Sequence, residues 1–252
     1  MTALTVSDLV VRHGAIVAVD SVGFDVPDGA IVGLIGPNGA GKSSVIDAVT
    51  GFERPAAGEV TVFGRRCTGI APHDAPTLGL ARTFQSIELF ADLTVRENVA
   101  VAAGRRRWWS LAADLVVPTR AHRDTDAAVD GVLAELDLAE VADRSPDELS
   151  NGQRHVVALA RALVAKPRLL LLDEPAAGLD PTETAALAAT ITGLRDRGIT
   201  ILLVDHDMDL VLRISDEVLV LDGGRLIATG TPDEVRRDPA VLAAYLGTAD
   251  PS

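Results

Sequence analysis

The stretch Gly36-Pro37-Asn38-Gly39-Ala40-Gly41-Lys42-Ser43 decides how this chain is expected to fold. It follows the apolar residues 30–35, which predict a buried strand, and it precedes residues 44–50, which predict a helix ended by Gly51. A glycine-rich turn from strand to helix, with Lys-Ser at the start of the helix, has the spacing of a phosphate-binding loop. Its glycines let backbone N–H groups turn toward phosphate oxygens, and the helix N-terminus attracts the same anion. The stretch therefore predicts a nucleotide phosphate site; the alternative is a glycine-rich turn with no ligand.

Two side chains of this loop have distinct predicted roles. Lys42 can reach the outer phosphates as a point charge, and the hydroxyl of Ser43 can bind Mg²⁺. The candidate nucleotide-binding residues here are Gly36, Pro37, Asn38, Gly39, Ala40, Gly41, Lys42, Ser43 and Ser44.

The composition indicates a folded protein without a membrane span of its own. Of the 252 residues 48% are hydrophobic, enough for one large α/β domain or two small ones. No apolar run approaches the roughly 20 residues that span a bilayer, and no secretory signal is expected from the N-terminus. The single cysteine, Cys67, excludes an internal disulfide and fits a reducing, cytoplasmic compartment. The 36 acidic and 23 basic residues give a net charge of −13, which argues against nucleic-acid binding.

The hydrophobic pattern predicts strands at both ends of the chain and helices in the middle. Residues 4–11, 16–26 and 59–63 predict an antiparallel piece beside the nucleotide core. Helices are predicted at residues 126–137 and 150–165, with Val156, Val157, Leu159, Ala160 and Leu163 of the latter inward. Further on, strands at 169–173 and 199–205, a helix at 180–198, a hairpin at 218–228 and two short helices are expected. We expect a single domain, with a core of residues 1–92 and 168–252 and a helical subdomain of residues 93–167.

Two further segments carry candidate chemistry. Asp173 ends an apolar strand and can hold Mg²⁺ through water, while Glu174 can orient or deprotonate a water that attacks a γ-phosphate. The alternative for this pair is an acidic strand end in solvent. The segment Leu149-Ser150-Asn151-Gly152-Gln153 combines a serine, a glycine and a helix start, which predicts a second anion-binding device or an ordinary N-cap.

Taken together, these residues resemble the ATPase subunits of ABC transporters over nearly the whole chain. Six motifs occur in the order of that family: the phosphate loop, the glutamine loop Thr83-Phe84-Gln85, the signature segment 149–153, residues 169–174, Ala177-Gly178-Leu179-Asp180, and the switch histidine in Val204-Asp205-His206-Asp207. The resemblance implies the α/β fold of a P-loop NTPase of ABC type, with a mixed-sheet core, an antiparallel β-edge and a helical insertion.

The resemblance also implies a composite site for ATP and Mg²⁺. ATP would lie between two such chains arranged head to tail, with Ser150, Gly152 and Gln153 of one chain at the γ-phosphate held by the other. Gln85 would approach Mg²⁺ and the attacking water, and Asp180 would act across the dimer interface. His206 would bond the γ-phosphate and hold the water and Glu174 in place.

Two positions depart from the family pattern. Asn151 stands where the signature usually has glycine, and a small cost is expected because asparagine tolerates left-handed backbone. His13 stands where an aromatic ring usually stacks on adenine; it either stacks there or is a turn histidine without a ligand.

Within the family, the chain looks most like the ATPase subunits of branched-chain amino acid importers. The stretches that carry this are residues 79–85, 89–90, 93–99, 173–179 and 230–247. Importers of urea and short amides, exporters of lipid or lipopolysaccharide, and soluble ABC ATPases that act on ribosomes or DNA stay as alternatives. The expected partners are membrane permease subunits, a second ATPase subunit that is a copy or a paralogue, and, indirectly, a solute-binding protein. The chain would lie on the inner face of the membrane. The segment Arg105-Arg106-Arg107-Trp108-Trp109 either faces lipid headgroups or the permease, or its tryptophans pack the loop onto the helical insertion.

Overall fold

The computed structural model describes residues 1–83, 88–103 and 120–246 of the chain. These residues form two compact units. The first comprises Met1–Gln85, Arg168–Ala177 and Thr184–Ser252, and the second comprises Ser86–Pro167 and Gly178–Glu183. The boundaries expected from the sequence, with residues 1–92 and 168–252 in the core and residues 93–167 in the helical subdomain, stay a prediction.

Most of the strands and helices lie where the periodicity predicts them. The strands are β1 Thr2–His13, β2 Ile16–Pro27, β3 Ile31–Ile35, β4 Ala57–Val62, β5 Arg65–Arg66, β6 Leu80–Arg82, β7 Leu169–Asp173, β8 Thr200–Val204, β9 Glu217–Asp222 and β10 Arg225–Gly230. The helices are α1 Lys42–Thr50, α2 Val95–Ala103, α3 Arg120–Glu135, α4 Asn151–Leu163, α5 Pro181–Asp196, α6 Met208–Ile214, α7 Pro232–Arg237 and α8 Pro239–Leu246. Short 3-10 helices cover Pro72–Leu78, Ala139–Val141 and Pro146–Glu148. None of the helices in the described ranges is long and apolar enough to cross a membrane.

The core unit contains a six-stranded mixed sheet in the order β10-β9-β3-β8-β7-β6. All neighbours pair in parallel except β10, which pairs antiparallel with β9. Every residue of β3, β7 and β8 is buried, because a parallel strand covered on both faces needs apolar side chains on both. The continuous apolar runs in the sequence predicted these three strands correctly.

A four-stranded antiparallel sheet, in the order β2-β1-β4-β5, forms the other sheet of the core unit. Side chains of both sheets belong to one hydrophobic cluster, which includes Leu4 and Val60 of the antiparallel sheet and Leu34 and Leu171 of the mixed one. The helix after the phosphate loop, α1, contributes Val45 to the same cluster. The antiparallel β-edge and the mixed core expected from the sequence are therefore both present.

The helical unit is built on α2, α3 and α4. Val129, Leu133 and Leu136 are buried at helical spacing, as their periodicity predicts. On α4 the inward face differs by one residue from the prediction, since His155 is buried and Val156 is only half-buried. His155 contributes to the buried part of α4 together with Val157, whereas the sequence analysis considered only apolar side chains for the inward face.

Candidate functional site

The phosphate loop connects the end of β3 to the start of α1, as the sequence predicts. Gly36 and Gly41 have φ values of +152° and +102°, in the region that favours glycine. A Cβ on Gly36 would lie 2.1 Å from the carbonyl oxygen of Leu221, and one on Gly41 would lie 2.4 Å from that of Ala18. The main chain of neighbouring strands thus confines the loop at both ends, and a side chain at either glycine would displace it.

Lys42 points back into this loop. Its Nζ donates to the carbonyl oxygens of Gly36 at 2.8 Å and Pro37 at 3.1 Å, and the residue is only 7% exposed. Burial lowers the pKa of this ammonium, and the nearby carboxylates, led by Glu174, act in the opposite direction. The cation is therefore held at the centre of the loop, on the helix N-terminus that attracts anions.

His13 and the serines after Lys42 lie at the outer side of the loop. Ser43 is exposed, and Ser44 is half-buried, with its Oγ 3.0 Å from Nε2 of His13. His13 is the last residue of β1 and is itself exposed, so its ring is accessible while one nitrogen is held by Ser44. The predicted adenine contact of His13 stays a prediction.

Asp173, the last residue of β7, is 5% exposed and bonded to an arginine that the sequence analysis did not single out. Nη2 of Arg82 donates to Asp173 Oδ2 at 2.8 Å, and Nη1 donates to Asp47 Oδ1 at 2.5 Å. Burial raises the pKa of the Asp173 carboxyl, while the bond and the charge of Arg82 lower it. Because Asp47 lies on α1, Arg82 ties the helix of the phosphate loop to the strand that carries the acidic pair.

Replacing Arg82 with leucine is expected to lower the free energy of unfolding by about 3–5 kcal/mol, because a buried Asp173 loses its counter-ion. Urea unfolding of the two proteins measures this difference. The deficit should shrink as the pH falls through the titration range of Asp173, since a protonated carboxyl needs no cationic partner.

Arg225→Leu is the matched control for this prediction. It removes an arginine from an exposed pair with Asp20, and exposed pairs contribute only about 0–1 kcal/mol. An Arg82→Leu protein as stable as the control would show that Arg82 does not stabilise the buried carboxylate.

Glu174 has a left-handed backbone, with φ +47°, which is uncommon for a residue with a side chain. Its N–H donates to the carbonyl oxygen of Val204 at 2.7 Å, so the chain turns sharply as it leaves β7. Such conformations persist where the surrounding structure fixes them, and they are concentrated at functional sites.

His206 lies beside this glutamate at the end of β8. Its Nδ1 is 3.6 Å from Glu174 Oε2 and 3.6 Å from Asp205 Oδ1. Asp205 is fully buried and accepts the N–H groups of Asp207 at 2.9 Å and Ala176 at 3.4 Å, while burial raises the pKa of its carboxyl. The structure therefore brings the predicted base and the switch histidine together, and Asp205 fixes the turns that follow both strands.

In the helical unit, the signature segment begins α4. Ser150 is its N-cap: the Ser150 Oγ accepts from the N–H of Gln153 at 3.2 Å, and the Gln153 Oε1 accepts from the N–H of Ser150 at 3.0 Å. This is the ordinary N-cap considered from the sequence, and it leaves the serine hydroxyl exposed. The N–H of Gly152 donates to Oε1 of Glu183 at 2.8 Å.

Asn151 does not have the left-handed backbone that the sequence analysis invoked. It is the first helical residue of α4, and it is absent from the positive-φ residues of the described chain. Its Nδ2 instead donates to the carbonyl oxygen of Gly178 at 2.9 Å. The physical reason given for tolerance was therefore wrong; asparagine here adds a bond to the loop before α5.

Asp180 lies at the end of that loop and caps the N-terminus of α5. Its Oδ1 accepts from the N–H groups of Thr182 at 2.7 Å and Glu183 at 2.8 Å. The sequence predicts this cap from Asp180-Pro181-Thr182-Glu183. Gln85, the segment 105–109 and Gly247 lie outside the described residues.

Arg82, Asp205 and Glu183 are the site residues that sequence reasoning missed. Arg82 precedes the glutamine loop directly, and a lone arginine there has no spacing signal. Asp205 ends an apolar strand as Asp173 does, so the same pattern could have identified it. In the described ranges, no group of three histidine, cysteine or acidic side chains is arranged to hold a metal ion.

Two family models match the chain. One, described as ABC transporter, matches residues 19–177, and another, described as branched-chain amino acid ATP-binding cassette transporter, matches residues 225–251. The chain is 40% identical over 250 residues to the high-affinity branched-chain amino acid transport ATP-binding protein BraF of Pseudomonas aeruginosa, covering 98% of each. Its identity to the corresponding protein LivG of Escherichia coli strain K12 is 39%, with the same coverage.

Solved structures give a consistent result. The chain is similar to the ADP conformation of MJ1267, an ATP-binding cassette of an ABC transporter, with a TM-score of 0.85 and 32% identity over 98% of this chain and 99% of that one. A nucleotide-free ATP-binding cassette from an ABC transporter matches with a TM-score of 0.86 and 31% identity, covering 97% and 99%.

Proposed function

Because this chain belongs to the ABC transporter family of ATP-binding proteins, we propose that it is the ATP-hydrolysing subunit of an importer for branched-chain or related amino acids. The observation that carries the amino-acid assignment is the match of residues 225–251 to the branched-chain amino acid model. The near-complete alignment with BraF and LivG supports it. In this proposal the core comprises residues 1–92 and 168–252, and the helical subdomain comprises residues 93–167.

The proposed nucleotide site begins at the phosphate loop. The backbone N–H groups of the loop from Gly36 through Ser44, apart from Pro37, which has none, would surround the phosphates, and Lys42 would exchange its bonds to Gly36 and Pro37 for bonds to phosphate oxygens. This exchange is favourable because the ammonium then meets an anion in place of a neutral carbonyl, which adds the attraction between opposite charges. His13 would lie at the adenine, and its bond to Ser44 would hold the ring against the loop.

The residues at the loop also fit a magnesium ion. Ser43 would supply an oxygen ligand, the type Mg²⁺ prefers, and Asp173 would hold the ion through water. Gln85 would provide a second direct oxygen, which agrees with the one or two protein ligands that Mg²⁺ normally takes beside phosphates and water. When bound, the ion would neutralise charge on the outer phosphates.

Hydrolysis would depend on Glu174 and His206. Glu174 would accept a proton from the attacking water, and its fixed backbone turn aims the carboxylate. His206, 3.6 Å from that carboxylate, would hold it in place and bond the γ-phosphate. Ser150, Gly152 and Gln153 would act on the nucleotide of a second ATPase subunit, and Asp180 would act across the interface.

The proposed assembly places this chain at the inner face of the membrane, attached to permease subunits. A second ATPase subunit, either another copy or a paralogue, would complete both nucleotide sites. A solute-binding protein would deliver the amino acid to the permease and would not touch this chain.

Purification of the tagged chain from its native membrane tests this proposal. We expect membrane permease subunits and a second ATPase to accompany it, and cells lacking the chain to take up radiolabelled leucine at the background rate. A tagged Lys42→Ala chain should bring down the same subunits without restoring uptake. Recovery of lipid-export subunits or ribosomes, or undiminished uptake of all branched-chain amino acids, would contradict the proposal.

A further inference from the structure

The N–H of Gly152 already has an acceptor within the chain. It donates to Oε1 of Glu183 at 2.8 Å. Gly152 is the second residue of α4, where an N–H has no acceptor within its own helix. A carboxylate therefore lies at the start of α4, at the position where a helix attracts an anion.

The approach of Glu183 to this position is close. A Cβ at residue 152 would lie 3.1 Å from Oε1 and 3.2 Å from Cγ of Glu183, so a larger residue would push the carboxylate away. The second oxygen, Oε2, lies 3.4 Å from the N–H of Asp180, which donates to it. Glu183 thus connects the signature segment to the loop that carries Asp180.

We propose that Glu183 occupies the place of the γ-phosphate on the Gly152 N–H, so that ATP held by the second ATPase subunit must displace this carboxylate before the subunits close. The inference rests on the function proposed above, in which Ser150 and Gly152 contact that phosphate. It makes Glu183 a positioning residue that opposes closure at low ATP concentration.

The γ-phosphate must displace the Glu183 carboxylate because both groups are anions that need the same N–H. One N–H cannot make a well-aligned bond to a carboxylate and a phosphate at once, and two anions at that distance repel each other. Ser150 imposes no such barrier, because its Oγ accepts from Gln153 and keeps its own hydrogen to donate to a phosphate. The γ-phosphate of ATP and the carboxylate of Glu183 therefore compete for the N–H of Gly152.

Displacement also has a consequence for Asp180. When Oε1 leaves Gly152, Glu183 keeps its bonds to Asp180, whose Oδ1 accepts from the Glu183 N–H at 2.8 Å. Movement of the glutamate therefore acts on the residue proposed to cross the interface. Occupation of the signature by phosphate therefore breaks the link that Glu183 makes between Gly152 and Asp180, while the bond from Asn151 to Gly178 remains.

Glu183→Gln tests the inference, because it keeps the shape of the side chain and removes its charge. For the assembly purified from native membranes, the ATP concentration that gives half-maximal hydrolysis is expected to fall about fivefold, with kcat changed less than about twofold. In the nucleotide-free chain, the amide proton resonance of Gly152 should shift upfield, because its bond to a neutral amide is weaker. The melting temperature should fall by no more than about 4 °C, because one bond is weakened and none is lost.

Glu234→Gln is the matched control. Glu234 is the capping-box glutamate of α7, where its Oε2 accepts from the N–H of Thr231 at 2.8 Å, and it is expected to alter neither readout. An unchanged or increased half-saturating ATP concentration in Glu183→Gln would overturn the inference, as would a loss of kcat alone. Normal ATP binding by Lys42→Ala would instead refute the proposed function itself.

Discussion

Glu174→Gln is expected to bind ATP normally and to hydrolyse it about 10²–10⁴-fold more slowly, since a glutamine cannot take the proton of the attacking water. The amide keeps the size of the carboxylate, so the nucleotide site should form without change. The variant should accumulate with ATP bound and its ATPase subunits closed. Phosphate release at saturating ATP measures the rate, and sedimentation velocity measures the association.

Glu140→Gln is the control for that experiment, because Glu140 is an exposed acid of the helical unit. It should hydrolyse ATP at the wild-type rate. Undiminished turnover in Glu174→Gln would remove Glu174 from the chemistry, whatever its backbone conformation. A variant that neither hydrolyses nor binds ATP would indicate that the charge of Glu174 supports the loop rather than the reaction.

Lys42→Ala is expected to lose nucleotide affinity itself, by about 10²-fold, because it removes the cation at the centre of the phosphate loop. Titration calorimetry with ATP, in the Glu174→Gln background so that the nucleotide persists, measures the affinity directly. Hydrolysis and uptake should fall together with binding.

Lys166→Asn removes the other lysine of the chain and serves as the control. Lys166 is exposed and has φ +52°, a backbone conformation that asparagine tolerates. Its affinity for ATP should match the wild type. Wild-type affinity in Lys42→Ala as well would refute the assignment of the phosphate loop.

The sequence predicted those parts of the fold whose pattern is repeated locally. The strands β3, β7 and β8 are continuous apolar runs, and α5 begins with a complete capping sequence, so both were recognisable. The short strand β6 and the helix α6 were missed. Each has only a few residues, and its position depends on contacts with strands far away in the chain.

In the candidate site, too, local motifs were recognisable from the sequence and contacts between distant residues were not. Lys42, Glu174 and Ser150 are recognisable because motifs place them beside a strand or helix end. The partners of the neighbouring motif residues Asp173 and Gly152 are not recognisable: Arg82 reaches Asp173 across 91 positions of sequence, and Glu183 reaches Gly152 across 31. Such pairs arise from the three-dimensional arrangement of elements, for which local spacing carries no signal.

The confinement of the phosphate loop by main-chain atoms has a consequence for how this protein can vary. The neighbours of Gly36 and Gly41 are the carbonyl oxygens of Leu221 and Ala18, and the N–H of Gly224 donates to the carbonyl oxygen of Ala40 at 3.0 Å. Every residue type presents the same carbonyl, so a substitution at position 18 leaves the dimensions of the nucleotide cradle unchanged, whereas position 221 is limited only by the burial of its side chain in the core. Insertions and deletions in β2 or β9 lack that freedom, because they would slide a different part of the backbone under the loop.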